Sequence, residues 1–250
     1  MAEVSAISWT DATFNPWIGC TKVSTGPLGA CNSCYAESDN NRRKWVEGWG
    51  PGVPRRRTAP SNWKQPLKWD RQAAEAGKIL RVFCASLADV FDNEVPQEWR
   101  DDLWALIRAT PNLRWLLLTK RIGNARKMLP PDWPYANAGL GATIVSQEEW
   151  DRDYPKLAAI PAAFHFVSDE PTLAPIDIGD ARPDWIITGG ESGPNRRPLN
   201  MDYVRSMRDQ CARNGITFHH KQNGGLRGKD TGCLVDGAEH KHFPPQLAAA

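Results

Sequence analysis

Three of the chain's six cysteines, Cys20, Cys31 and Cys34, fall within fifteen residues in the pattern C-x10-C-x2-C. The interval between the first two holds Gly26, Pro27 and Gly29, turn formers that let the chain fold back and set Cys20 beside the Cys31/Cys34 pair. Three converging thiolates suit a soft metal centre. A fourth cysteine nearby would point to structural zinc or a closed iron–sulfur cluster, both of which want four protein ligands. None follows at comparable spacing, so a metal held here keeps an open coordination position, and an open position implies chemistry.

The elements that must position such a centre show as a repeat of strand and helix patterns. Residues 9–18 read as an extended lead-in to the cysteine loop. Strands are expected at 79–84, 113–118, 139–145, 164–167, 185–188 and 216–219. Between them lie helical patterns at 97–108, 122–129, around 147–157 and at 201–214, the last closed by Gly215 as its C-terminal cap. Strands recurring every 20–35 residues with helices between them argue for βα units and a parallel sheet.

Each expected strand ends in polar residues: Ser86 and Asp89; Thr119, Lys120 and Arg121; Ser146, Gln147 and Glu148; Ser168, Asp169 and Glu170; Gly189, Gly190 and Glu191; Lys221 and Gln222. In a (β/α) barrel the strand C-termini face one mouth, where active sites are built, and an open doubly wound sheet also places ligands there. Lys120, Arg121 and Lys221 could neutralise a carboxylate or phosphate, or pair internally with Asp169, Glu170 or Glu191. In Gly189-Gly190-Glu191-Ser192-Gly193 the glycines permit positive φ and close backbone approach beside a carboxylate. His219 and His220 adjoin on one strand and face opposite ways, so they argue poorly for a shared metal site. His240 and His242 could cap this region or supply a fourth zinc ligand.

Several stretches carry a family resemblance. They are Phe14-Asn15-Pro16-Trp17-Ile18-Gly19-Cys20-Thr21-Lys22-Val23-Ser24, Cys31-Asn32-Ser33-Cys34-Tyr35-Ala36-Glu37 and Leu118-Thr119-Lys120-Arg121, then Ser168-Asp169-Glu170-Pro171, Gly189-Gly190-Glu191-Ser192-Gly193-Pro194 and Lys221-Gln222-Asn223-Gly224. With these the chain resembles radical S-adenosylmethionine (SAM) enzymes, and specifically a phage-associated three-cysteine-motif family of unknown function. The commonest spacing in that superfamily is C-x3-C-x2-C with an aromatic before the last cysteine. Here the first interval is ten residues, Ser33 precedes Cys34 and Tyr35 follows it.

The resemblance implies a full or partial TIM-type (β/α) barrel of parallel strands. It implies a [4Fe–4S] cluster on Cys20, Cys31 and Cys34, with SAM chelating the fourth iron through its amino and carboxylate groups. Ser168, Gly189, Gly190, Glu191 and Ser192 become the expected SAM contacts. Lys120, Asp169, Glu170 and Lys221 become the expected catalytic or substrate-side groups. An electron donor such as flavodoxin, and the cytoplasm of an infected bacterial host, belong to the same expectation.

Composition is that of an ordinary globular protein, with 41% hydrophobic and 24% charged residues, and a net charge of +2 excludes a polybasic tail protein. Met1 to Ser5 shows no basic region leading into an apolar run, and no stretch reaches membrane-span length. Disulfides are not expected in the cytoplasm, and Cys84 and Cys211 read as buried thiols. One domain is expected over residues 1–250, with an irregular insertion at 41–70 and an irregular tail at 225–250.

That insertion interleaves Arg42, Arg43, Arg55, Arg56 and Arg57 with Trp45, Trp49 and Trp63. Basic side chains alternating with aromatics suit phosphate contacts and stacking on bases, whereas a plain solvated loop would only pin its tryptophans to the sheet. Together with the phage association that the resemblance implies, this insertion suggests a nucleotide or DNA base as substrate, a hypermodified thymine being one concrete case. Two other classes stand beside this reading: a zinc-stabilised nucleic-acid-binding module without catalysis, and a metal-dependent hydrolase or lyase using the strand-end acids and histidines.

Overall fold

The structure, a computed structural model, describes residues 5–227 and 230–247. The expectations for residues 1–4 and 248–250 lie outside the described residues. In chain order the elements are β1 (Ala12–Thr13), β2 (Trp17–Ile18), α1 (Tyr35–Arg43), β3 (Arg56–Arg57), α2 (Pro60–Trp63), α3 (Gln65–Ala76) and β4 (Leu80–Cys84). There follow α4 (Gln97–Arg108), β5 (Leu113–Thr119), α5 (Ile122–Met128), β6 (Ala138–Thr143), α6 (Gln147–Ala158) and β7 (His165–Asp169). Then come β8 (Trp185–Thr188), α7 (Met201–Asn214), β9 (Thr217–His220), β10 (Leu234–Val235) and β11 (Ala238–Glu239).

Seven strands form one parallel sheet in the order β1-β4-β5-β6-β7-β8-β9, curled into a half-barrel. The partial form of the expected barrel is the one observed: β1 and β9 are edges and do not pair. Strand order follows chain order, so all C-terminal ends face one mouth. Helices cover the outer face, where Val82, Leu117, Val167, Ile186 and Phe218 pack with Trp104, Leu157 and Val204.

The concave face carries its own cluster of Trp9, Phe83, Leu116, Phe164, Phe166, Trp185 and Ile187. Alternation along each strand sorts side chains between these two clusters. Gly139 and Gly141 on β6 make room for this aromatic lining. A Cβ on either would lie 2.2 Å and 2.4 Å from the rings of Phe164 and Phe166 respectively.

Two regions expected to be irregular are not. In 41–70, Pro60 starts α2 and Pro66 lies at the start of α3, positions where proline's missing N–H costs nothing. β3 pairs antiparallel with β2 through Trp17↔Arg57 and Ile18↔Arg56. In the tail, β10 and β11 form a hairpin around Asp236-Gly237, both at positive φ, the two-residue turn that Asp-Gly favours. Arg205 and Arg208 of α7 each hold an Asp236 oxygen at 2.7 Å, tethering that hairpin.

Candidate active site at the C-terminal mouth of the sheet

The cysteine loop closes on itself as its turn formers suggest. Cys31 N–H donates to Ser24 O at 2.9 Å, and Gly29 N–H donates to Gly26 O at 2.7 Å. A Cβ on Gly29 would lie 2.3 Å from Ser24 O, so only glycine permits this fold-back. Cys34 is the N-cap residue of α1, so the positive end of the helix dipole faces any negative charge on its thiol.

Three strand ends hold the loop. From β5, Arg121 donates to Thr21 O and, at 3.4 Å, to Cys20 Sγ. From the start of α6, Glu149 accepts Ser24 Oγ at 2.6 Å, while Ser24 Oγ accepts Ala30 N–H at 2.9 Å. From the loop after β8, Arg197 reaches Pro27 O at 3.3 Å and Gly29 O at 3.0 Å.

All three thiols line one cavity of about 350 Å³. None is in a disulfide. The ends of six strands open onto the same space, with Ser86 and Asp89 after β4, Lys120 and Arg121 after β5, and Thr143 on β6. Ser168 and Glu170 follow from β7, Gly190, Glu191 and Ser192 from β8, and Lys221 and Gln222 from β9. Trp9, Phe83 and Leu118 supply an apolar floor. Three free soft donors in one cavity fit a cluster in donor type and number. Their sulfurs are not drawn to one point: among the described residues no three Cys, His, Asp or Glu side chains form a group able to hold a metal ion.

Asp89 organises the β4 and β5 ends. Its Oδ1 accepts Thr119 Oγ1 at 2.7 Å and its Oδ2 accepts Lys120 N–H at 3.0 Å, with Arg121 Nη1 at 3.3 Å. Burial pushes the Cys20 thiol up to about 12 and the Asp89 charge adds to this, while Arg121 works against them. Across the cavity, Glu170 accepts Lys221 Nζ at 2.9 Å, Ser168 Oγ at 3.1 Å and Trp9 Nε1 at 3.2 Å. Lys120 Nζ lies 3.4 Å from Thr143 Oγ1 and has no ion-pair partner among the described residues.

A family model described as "Protein of unknown function (DUF5131)" matches residues 4–244. The chain belongs to this family. A comparison with curated proteins finds no match. Among similar solved structures is a spore photoproduct lyase mutant with bound AdoMet and dinucleoside spore photoproduct, at 12% identity and a TM-score of 0.45, covering 79% of this chain and 60% of that one. A second spore photoproduct lyase mutant is 14% identical, with a TM-score of 0.48, covering 85% of this chain and 64% of that one. The chain thus spans about three fifths of the length of these structures.

Against the sequence expectations, this family member brings Cys20, Cys31, Cys34, Lys120, Ser168, Glu170, Gly190, Glu191, Ser192 and Lys221 to one cavity. Asp169 and Gly189 do not line it. Asp169 falls on the outer side of β7, is 1% exposed and leaves Oδ1 without a partner. Burial, with no compensating cation, holds its carboxyl well above the usual range. Gly189 sits behind Glu170, and a Cβ there would lie 3.0 Å from Glu170 Oε1. Positive φ is found at Gly193, whereas Gly190 serves close approach: its Cβ would lie 2.5 Å from Asn223 O.

The two strand histidines do face opposite ways, yet both are buried because both faces of the sheet are covered. His219 contacts Ser8 Oγ at 2.9 Å and the Trp185 ring on the concave side, while His220 contacts Thr188 and Asn223. His240 and His242 line a separate cavity with Arg208 and Phe218 and do not line the cysteine pocket, so neither stands there as a fourth ligand.

Arg55, expected to face nucleic acid, is buried. It pairs with Asp92 at 2.8 Å and donates to Gly50 O, Val53 O and Thr21 Oγ1. Trp63 packs edge-on against Phe14, Arg57 pairs with Asp102 above the Trp63 ring, and Arg43 lies over Trp45. Arg42 is exposed and pairs with Asp39. Only Trp49 of the expected aromatics reaches the cavity. Sequence reasoning missed Glu149 and Arg197. Ser146-Gln147-Glu148-Glu149 is a capping-box signature that could have marked Glu149, whereas nothing local marked Arg197.

Proposed function

We propose that the chain is a radical SAM enzyme that holds a [4Fe–4S] cluster through Cys20, Cys31 and Cys34 and acts on a nucleotide or nucleic-acid base. The observation that supports this reading is that three unpaired thiols line the one cavity onto which the C-terminal ends of six parallel strands open. An ordinary structural zinc site would bury four protein ligands away from such a mouth. The chemistry that the cluster and SAM supply when bound is one-electron cleavage of SAM to methionine and a 5′-deoxyadenosyl radical that takes hydrogen from an unactivated carbon.

The chain's own residues hold and shield. Arg121 fixes Cys20 and Thr21 while Asp89 fixes Arg121, so the first ligand and the β5 end move as one unit. Lys120 is the cation left to receive a carboxylate or phosphate. The Glu170–Lys221 pair, tied to Trp9 and Ser168, walls the opposite side. Trp9, Phe83 and Leu118 exclude water beneath and offer faces on which a flat base can lie. Trp49 in the cavity lining supports the nucleotide substrate class.

Anaerobically reconstituted protein is expected to bind about four irons per chain and, with reductant and SAM, to release 5′-deoxyadenosine. Cys31→Ala is expected to abolish both. A colourless protein that holds zinc and yields no 5′-deoxyadenosine would end the radical reading.

A further inference from the structure

The cysteine loop is not held by its own turns alone, and one of its outside contacts comes from a residue 163 positions beyond Cys34. The Arg197 guanidinium is engaged on both edges. One edge, together with the Arg197 backbone N–H at 2.7 Å, is held by the Glu191 carboxylate. The other donates to the Gly29 and Pro27 carbonyls in the fold-back between Cys20 and Cys31. Glu191 itself is only 7% exposed at its side chain. Its neighbours Gly190 and Ser192 are fixed by Gln222 Nε2, which donates to Gly190 O at 3.0 Å and Ser192 Oγ at 2.8 Å.

We infer that Arg197, fixed by Glu191, is a positioning residue that latches the cysteine loop to the β8 and β9 ends and so sets where Cys31 stands. This rests on the cysteine loop being the functional loop proposed above, but the latch itself is a property of the metal-free chain. The assignment differs from the expectation that Glu191 contacts SAM: its carboxylate is already engaged by a guanidinium aimed at the loop. Lysine cannot replace Arg197, because one ammonium cannot hold a carboxylate and two carbonyls in a fixed fork.

Cysteine reactivity reads the latch without any cluster. Cys31 is 7% exposed, and Cys84 and Cys211 are fully buried in the core as internal reporters of global opening. Metal-free Arg197→Ala, Arg197→Lys and Glu191→Gln proteins are treated with iodoacetamide under native conditions, and each cysteine is followed by peptide mass spectrometry. Losing charge-assisted hydrogen bonds to the loop is expected to raise the Cys31 rate about tenfold in Arg197→Ala, and less in the other two, with Cys84 and Cys211 still protected. Arg152→Ala, which removes a surface pair with Asp153, is expected to leave all rates alone.

An unchanged Cys31 rate overturns the latch, and so does a rise matched at Cys84 and Cys211 in all three variants. If the protein takes up iron, the same variants are expected to lose it to a chelator about tenfold faster. If it takes up none, the radical reading fails while the alkylation result still decides the latch.

Discussion

Asp169 and His219 are buried ionisable groups whose burial acts on stability in opposite directions. Asp169 has its carboxyl held well above the usual range by burial, so its contribution is fully present below the ordinary carboxylate pKa and is lost as pH rises from there through its raised folded value. Asp169→Asn removes this titration. The variant is expected to match wild type in acid and to become relatively more stable as pH rises, as measured by urea unfolding across pH. Burial, with the Lys241 charge adding to it, pushes the His219 imidazole down to about 3. Its contribution is present above the ordinary histidine value and is lost as pH falls from about 6.5 towards that folded value, at up to about 1.4 kcal/mol per pH unit. His219→Gln is expected to flatten that acid limb.

Arg55 belongs to the same scale. Removing one partner of its buried pair with Asp92 strands a charge, so Arg55→Ala is expected to cost about 3–5 kcal/mol. The exposed neighbour Arg56 is expected to cost less than about 0.5 kcal/mol. Equal losses in denaturant melts would contradict this division. For the same reason a nucleic-acid binding test belongs on Arg56 rather than Arg55.

At the scale of elements, the site depends on segments that are short in regular structure and long in specific contacts. β6 shows how tightly the concave face is built. Gly141→Ala places a methyl against the Phe166 ring, and the overpacking is expected to cost about 1–3 kcal/mol, read as a lower urea midpoint. The cysteine loop is the opposite case: it contributes no strand or helix of its own and is placed by Arg121, Glu149 and Arg197. Helices α4 and α7 stood at the bounds expected from their patterns, because each has a clear apolar face and clear stops in Pro96 and Gly215. Helices α2 and α3 begin in the stretch expected to be irregular, and they form because Pro60 and Pro66 occupy first-turn positions, where proline starts a helix instead of breaking one.

Over the whole molecule, an open parallel sheet with all C-termini at one mouth leaves a single concave wall instead of a closed barrel core. A cavity of about 350 Å³ with an aromatic floor is the size at which small-molecule sites begin. A flat ligand bound there lies near Trp9 and Trp49, so SAM or a nucleoside is expected to quench part of the intrinsic fluorescence. Trp49→Phe is expected to remove much of that change, whereas Trp45→Phe leaves it intact. A quench that survives Trp49→Phe unchanged would place the ligand away from Trp49.

The sequence alone determined the parallel α/β character, the position of six of the seven strands of the main sheet and the gathering of polar residues at strand ends. It could do so because period, caps and turn chemistry act over a few residues. It also marked Cys20, Cys31 and Cys34, since spacing and turn formers are local facts. Only the tertiary structure decided which strand-end groups share the cavity. A one-residue step turns a side chain to the other face, so Ser168 and Glu170 enter while Asp169 does not. Only it decided that Arg55 is an interior anchor and that Arg197 reaches the cysteine loop, because a charge's partner is set by contacts more than thirty residues apart in one case and more than one hundred and sixty in the other.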